Sequence, residues 1–413
     1  SQLVPATLGF LITGVGLPLL SVAALGISKS EGLFDLSRKV SRPYAYFFTC
    51  LLYLTIGPFF AIPRCATTAF TVGIEQAVPQ AAEQLRLWLL VFSAVFFAAA
   101  LLFSLFPGKI LTWVGKILNP FFLLFLGILI IVALVKPSAA ISAVAPEGAY
   151  ASQAFSTGFL EGYNTMDVLA GLAFGIIVVQ VIRELGVTDA DAVASSTVKA
   201  GVFSSLLMAF IYIAVTIAGT QSRGVLEASE NGGTALAQIA QHYLGSVGLL
   251  ILAATVTLAF LKTSVGLITS CAETFVGMFP KGLSYRNWVF VFTGISFLLA
   301  NVGLTAIITY AVPVLMFLYP LAITLILLAL LGHFFDHDRA VYAWVTGLTL
   351  VAAFYDLLRT LPDHLRAVLH VNGLVDTVGK ALPFATIGLG WICPAILGLV
   401  IGLIFRAVRP KKA

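Results

Sequence analysis

The chain reads as an all-α polytopic membrane protein, and three observations predict it. Sixty per cent of its 413 residues are hydrophobic and only 10% are charged. The mean hydropathy is +1.04. Long apolar runs alternate with short polar ones along the whole sequence. Soluble domains carry about 25% charged and about 45–50% apolar residues, and so few charges cannot build a water-facing surface. Lipid needs almost none.

A membrane-spanning helix needs roughly 20 mostly apolar residues, because every backbone group in hydrocarbon must be paired internally. By that measure about eleven spans are read, near 4–28, 44–74, 85–106, 112–135, 155–185, 198–219, 246–276, 286–303, 305–332, 339–358 and 383–406. They form one transmembrane domain over residues 1–413. The partner common to all of them is the lipid bilayer.

The formal net charge of +5 invites a nucleic-acid partner, but the distribution of the charge argues against one. Taking alternate loops as one side, Lys29, Arg38, Lys39 and Arg42 share a face with Arg406, Arg409, Lys411 and Lys412, and the opposite face is poorer in Lys and Arg. The positive-inside rule then puts the 29–42 loop and the C-terminus in the cytoplasm of a cell with this protein in its inner (plasma) membrane. Basic charge here sets topology.

No enzyme signature is present. Cys50, Cys65, Cys271 and Cys393 lie in or beside apolar spans without paired spacing and read as small buried hydrophobes. His333 and His337 are four apart in a loop, with no third ligand converging, and read as a solvated turn. Metalloprotease helix, phosphate loop and nucleophile elbow are all absent. No cofactor is expected.

Polar clusters inside spans are costly, about 2.5–3.5 kcal/mol for a charge at the helix centre, so the spans that carry them are the informative ones. The first is Phe155 to Glu184, too long for one straight helix across about 30 Å of hydrocarbon. Glu161, Gly162, Tyr163, Asn164, Thr165 and Asp167 fall in its middle. Gly frees the backbone, while Asn, Thr and Asp offer it competing hydrogen bonds. An unwound joint between two half-helices is predicted, whose N–H groups can hold a carboxylate and whose carbonyls can hold an ammonium or a cation. The competing reading is a long tilted helix with a polar patch.

The second informative span contains Gly57-Pro58 and Pro63, which bend it, with Tyr53 and Phe59 as candidates to line a cavity or simply to pack. In the third, Lys262 lies midway between Val247 and Phe275, followed by the hydroxyls of Thr263 and Ser264. Lys262 reads either as a structural ion-pair partner of Asp167 or Glu161 or as a coupling residue. Asp356, near the end of the 339–358 span, is expected at the interface. The pairs Gly171/Gly175 and Gly398/Gly402 predict close helix packing and nothing chemical.

The chain enters its first span almost at once, at Leu3-Val4-Pro5. With the C-terminus inside, an odd number of spans would put residue 1 outside. A further helix upstream, absent from this sequence, is therefore expected.

These residues resemble a known family. LGFLITGVGLPLL (8–20), IGPFFAIPR (56–64), LFPGK (105–109), EGYNTMDVLAGLAFGIIV (161–178), TSVGLITSCAETF (263–275), LSYRNWVF (283–290) and the VPVL–YP pair (312–320) are similar to the bacterial branched-chain amino acid:cation symporters (LIVCS) of the LeuT-like (APC) superfamily. The strings run through the chain in family order. The resemblance implies a LeuT-like fold of two inverted five-helix repeats plus two helices. It implies uptake of leucine, isoleucine and valine in symport with Na+ or H+ by alternating access. It also implies a first broken helix that this sequence lacks, without which half of the binding joint is missing and the chain should not transport.

Carried over, Gly162 to Asp167 should meet the substrate backbone, with Glu161, Tyr53, Gly57 and Phe59 nearby. A sodium ion in the superfamily often sits against residues spaced i, i+3 and i+4, here Ala259, Lys262 and Thr263. A second register uses Phe260, Thr263 and Ser264 and leaves Lys262 beside the site. Many relatives have a hydroxyl residue at the Lys262 position. An ammonium there supplies the ion's charge and repels sodium, which predicts a proton-coupled or sodium-independent carrier.

Rival readings stay open at this stage. An intramembrane enzyme would need a convergent nucleophile, base or metal set. A channel would need a continuous polar stripe, and an amino-acid sensor would bind without counterflow. A LeuT-like carrier of another amino acid or small organic solute is the nearest rival. Oligomeric state is not legible.

Overall fold

The computed structural model describes residues 2–408 apart from 29, 31, 76–77, 79–80, 107–108 and 188. Lys29, Arg409, Lys411 and Lys412, used above for topology, lie outside the described residues, as does part of the string at 105–109. Among the described residues the structure is all helix and turn, with no strand. Seven helices there are long and apolar enough to cross a bilayer: Leu3–Ile27, Arg42–Gly73, Ala82–Leu105, Ser195–Ser222, Gly232–Met278, Leu304–Phe335 and Arg339–Thr360. Pro120–Val135 and Ile392–Val408 are shorter apolar helices.

Each span read from the sequence coincides with a helix, and some boundaries move. The last begins at Ile392, not at 383. Before it, Asn372–Ala381 is a separate amphipathic helix, and Phe384 and Gly388 take positive φ. Pro383 cannot continue a helix, and two left-handed residues after it turn the chain before the membrane segment starts. The 246–276 span is the second part of Gly232–Met278, which kinks where Gly245 adopts φ 63°, a conformation that favours glycine.

The chain divides into two units. The first comprises Ser1–Leu52, Pro146–Ile211 and Tyr310–Ala413. In it the Leu3–Ile27 helix runs along the chain from Tyr150 to Glu184 at backbone contact distance. A Cβ on Gly9 would meet Phe155 O at 2.1 Å, and one on Gly158 would meet Ala6 O at 2.0 Å. Small residues let the two backbones approach, so van der Waals contact is made without a hydrophobic driving force. The predicted packing glycines act in the same way: Gly171 faces Ser21, and Gly398 and Gly402 face Trp344 and Val341. The centre of this unit is the helical stretch 310–331, where Leu318, Tyr319, Leu321, Ala322, Leu325 and Ile326 are all fully buried. A helix apolar on every face belongs in an interior.

The second unit comprises Tyr53–Ala145 and Tyr212–Thr309. Ala61–Gly73 packs along Gly232–Met278. Val72, Phe125, Leu129, Ala240, Leu252 and Val256 form one apolar cluster. Phe275, Trp288 and Phe292 form another, with ring centroids 5.0–5.2 Å apart, the spacing of favourable aromatic contacts.

Candidate functional site

The backbone breaks where the polar run predicts. Tyr150–Glu161 is α-helical, Gly162–Thr165 is a single 3-10 turn, and Met166 stands in the left-handed region at φ 60°, ψ 9°. A new helix then runs from Asp167 to Glu184. Thr165 drives the change locally: its Oγ1 donates to Gly162 O at 2.9 Å and accepts from Asp167 N–H at 3.3 Å. These bonds replace the helical ladder that would cross the joint. Asn164 Nδ2 donates to Glu161 Oε2 at 3.0 Å. The tilted unbroken helix considered above is not what forms.

A break of this kind brings opposite partial charges together. The C-terminal carbonyls of one half-helix and the N-terminal N–H groups of the other meet within one turn. Asp167, the first residue of the second half, adds a formal negative charge beside those N–H groups. The joint can therefore hold both a cationic and an anionic group, which is the electrostatic pattern of a zwitterion site.

The surroundings fix the joint tightly. The Leu3–Ile27 helix is itself interrupted, by a π-helical segment at Ile12–Gly16, which packs against the 3-10 turn. Thr13 Oγ1 donates to Phe159 O at 2.7 Å, capturing a carbonyl next to the break. A Cβ on Gly162 would lie 1.9 Å from that same Thr13 oxygen, so only glycine fits there. Tyr163 is buried and stacks on Tyr319, with ring centroids 4.0 Å apart and planes 17° from parallel. The Tyr319 hydroxyl faces Thr165, the Val168 N–H and Asp167.

Behind Tyr163 lies a charged residue that the sequence reading placed at the interface. Asp356 is 1% exposed. Its only ion-pair partner among the described residues is Arg359, with Nε 3.5 Å from Oδ1. Its carboxylate faces Tyr163, which also faces Trp391. That burial lies within the protein and is compatible with a depth near the span's end, and Arg359, one turn on, supplies the countercharge. Tyr319 and Asp356 neighbour the candidate joint and were not among the candidate site residues read from the sequence. Tyr319 stood within a family string, and Asp356 stood at i, i+3 from an Arg.

The other candidate residues belong to the second unit. The Thr55–Phe59 stretch is π-helical, with Gly57 off the helical region at φ −99°, ψ −121°. Gly57 faces Cys271, whose Sγ would lie 2.6 Å from a Cβ there and donates to Tyr53 O at 3.4 Å. Tyr53 is buried, with its hydroxyl beside Ser270 and Thr274, whereas Phe59 is exposed. Ser296 Oγ lies 3.4 Å from Pro58 O, a carbonyl at the bend.

Around 259–264 the helix is continuous. Thr263 Oγ1 donates back to Ala259 O at 3.0 Å. Ser264 is buried facing Cys65. Ala259 and Lys262 are half-buried, and no carboxylate pairs with Lys262 among the described residues. Among those residues no group of three metal-ligating side chains converges, at His333/His337 or elsewhere.

Residues 1–409 match the family model described as "Branched-chain amino acid transport protein". The chain belongs to that family. The match begins at residue 1 and so lends no support to the expected absence of a first helix. Among similar proteins of the branched-chain amino acid transport family, the permease BrnQ of Lactobacillus delbrueckii subsp. lactis is 51% identical over 406 residues, covering 98% of this chain and 90% of its own. BrnQ of Bacillus subtilis is 39% identical over 99% of this chain and 90% of its own. BrnQ of Escherichia coli K12 is 36% identical over 98% of this chain and 89% of its own. A solved structure of Mhp1, a nucleobase-cation-symport-1 family transporter, aligns with a TM-score of 0.48 at 14% identity, over 98% of this chain and 92% of its own, a likeness too weak to decide anything about fold. A member of this transport family is a multi-pass membrane protein and not an enzyme.

Proposed function

We propose that the protein takes up leucine, isoleucine and valine across the plasma membrane by alternating access, in symport with Na+ or H+, on a LeuT-like arrangement of helices. The observation that carries this reading is the joint at Gly162–Asp167. It offers oppositely charged half-helix ends in one turn, held rigid by Thr13, Gly162 and the Tyr163–Tyr319 stack. The amino and carboxylate ends of the substrate would bind there and its aliphatic side chain would meet apolar wall. The names of the related permeases point to the same substrate class.

The coupling ion follows from Lys262. An ammonium among Ala259, Thr263 and Ser264 occupies the charge that a sodium ion would bring, so H+ coupling or sodium independence is favoured. The protein is oriented with the 29–42 loop and the C-terminus in the cytoplasm. The test is uptake of radiolabelled leucine into proteoliposomes with sodium and proton gradients varied separately. Accumulation driven by the proton gradient alone is expected. Accumulation that requires sodium at fixed pH gradient would remove the Lys262 reading, and absence of leucine counterflow under every gradient would remove the transport reading itself.

A further inference from the structure

Away from the joint, the first unit carries a cavity of about 710 Å³ that the transport reading does not use. Its charged lining is wholly basic, Arg38, Lys39, Arg42 and Arg339, with the imidazole of His337 beside them. They come from the connection after the Leu3–Ile27 helix, from the start of Arg42–Gly73 and from the start of Arg339–Thr360. The cavity therefore lies where membrane helices end, at headgroup level.

The acidic residues nearby are already committed. Asp336 pairs with Arg406, Asp338 accepts from Ala340 N–H at 2.8 Å as a helix cap, and Asp35 acts on Lys39. Two of the cations are held in place, Lys39 Nζ donating to Ser28 O and Arg339 Nε to Val40 O, each at 3.2 Å. The mutual effect of the charges registers on their protonation. Burial, and after it the Lys39 ammonium and His333, hold the His337 imidazole below its ordinary range against the opposing Asp336. Burial likewise lowers Lys39, against Asp35.

Several fixed cations around one opening, with no carboxylate among the lining residues, make a receptor for a phosphate group, and Arg is the residue best shaped for its oxygens. Two features select the source of that phosphate. Phe34 and Tyr46 also line the cavity, their rings packed edge-to-face at 4.9 Å, and aromatic side chains at a helix end mark the lipid interface. Basic pockets between membrane helices take anionic headgroups. We propose that this cavity binds the headgroup of an anionic phospholipid.

The inference is independent of transport and is tested by binding. Purified protein in detergent is titrated with phosphatidylglycerol, phosphatidylcholine or inorganic phosphate, and retained lipid is read by native mass spectrometry and thermal shift. Phosphatidylglycerol should be retained about 10-fold or more over phosphatidylcholine. The R38Q/R42Q double variant should bind it about 30-fold more weakly, since each basic residue near the surface is worth about 1 kcal/mol. The R86Q/K136Q variant, which removes two exposed charges elsewhere, should bind as the parent does. Equal retention of the two lipids would overturn the proposal. So would an equal loss in R86Q/K136Q, or stabilisation by inorganic phosphate matching that by phosphatidylglycerol. The headgroup comparison on the parent protein stands even if a variant fails to fold.

Discussion

Two helices carry a polar cluster at mid-span, and only one of them breaks at its cluster. In 150–184, Gly162, Asn164 and Thr165 stand together, and Thr165 Oγ1 gives the backbone both an acceptor and a donor to use in place of the ladder. In 232–278, Lys262, Thr263 and Ser264 are as polar, yet Thr263 spends its hydroxyl on Ala259 O four residues back and the helix runs through. The difference lies less in polarity than in whether a glycine stands inside the polar cluster, as Gly162 does, and where the hydroxyl can reach. One region interrupts the main chain and the other changes only which side chains the helix carries. On the function proposed above, a substrate recognised by its backbone ends binds at the first, and charge tuning acts at the second.

The comparison breaks most sharply at Gly162. G162A drives a methyl group against Thr13 Oγ1. Overpacking of this kind costs about 1–3 kcal/mol, so the melting temperature should fall and leucine uptake should drop by at least about 10-fold. Unchanged uptake and melting would mean that the packing of the two interrupted helices is not what shapes the joint. D167N removes the formal charge and leaves the turn, whose bonds come from Thr165. Loss of one charge-assisted hydrogen bond is worth about 1.5–3 kcal/mol, so the leucine concentration for half-maximal counterflow should rise about 10- to 100-fold with little change in melting.

On the other helix, K262T should leave leucine counterflow intact and introduce sodium stimulation. Transport with the same ion dependence as the parent would sever Lys262 from coupling. The smallest effect is expected at Thr13. T13V deletes the 2.7 Å bond to Phe159 O, which should cost about 0.5–1.5 kcal/mol of stability, and T13S should restore it.

Much of this was legible in the residues. Every predicted span is helical over most of its length, because apolar runs in lipid have no other way to satisfy their backbone. The break was legible because glycine and short polar side chains act locally. The neighbours of the break were not. Tyr319 lies 156 residues from Tyr163 along the chain, a distance that follows from their numbers, and nothing local in YP announces a stack. Asp356 looked interfacial by its position near a span end, and its burial depends on contacts that only tertiary structure supplies. The π segment at Ile12–Gly16 carries Thr13, Gly14 and Gly16, a local signal of the same kind, but its packing beside the 3-10 turn is a tertiary contact that the sequence does not state.

The most direct measurement is a cryo-EM structure with leucine bound. The account predicts the amino and carboxylate groups of the ligand within about 3 Å, ordinary hydrogen-bond distance, of main-chain atoms between Gly162 and Val168. Leucine bound elsewhere, with that stretch of main chain untouched, would contradict it.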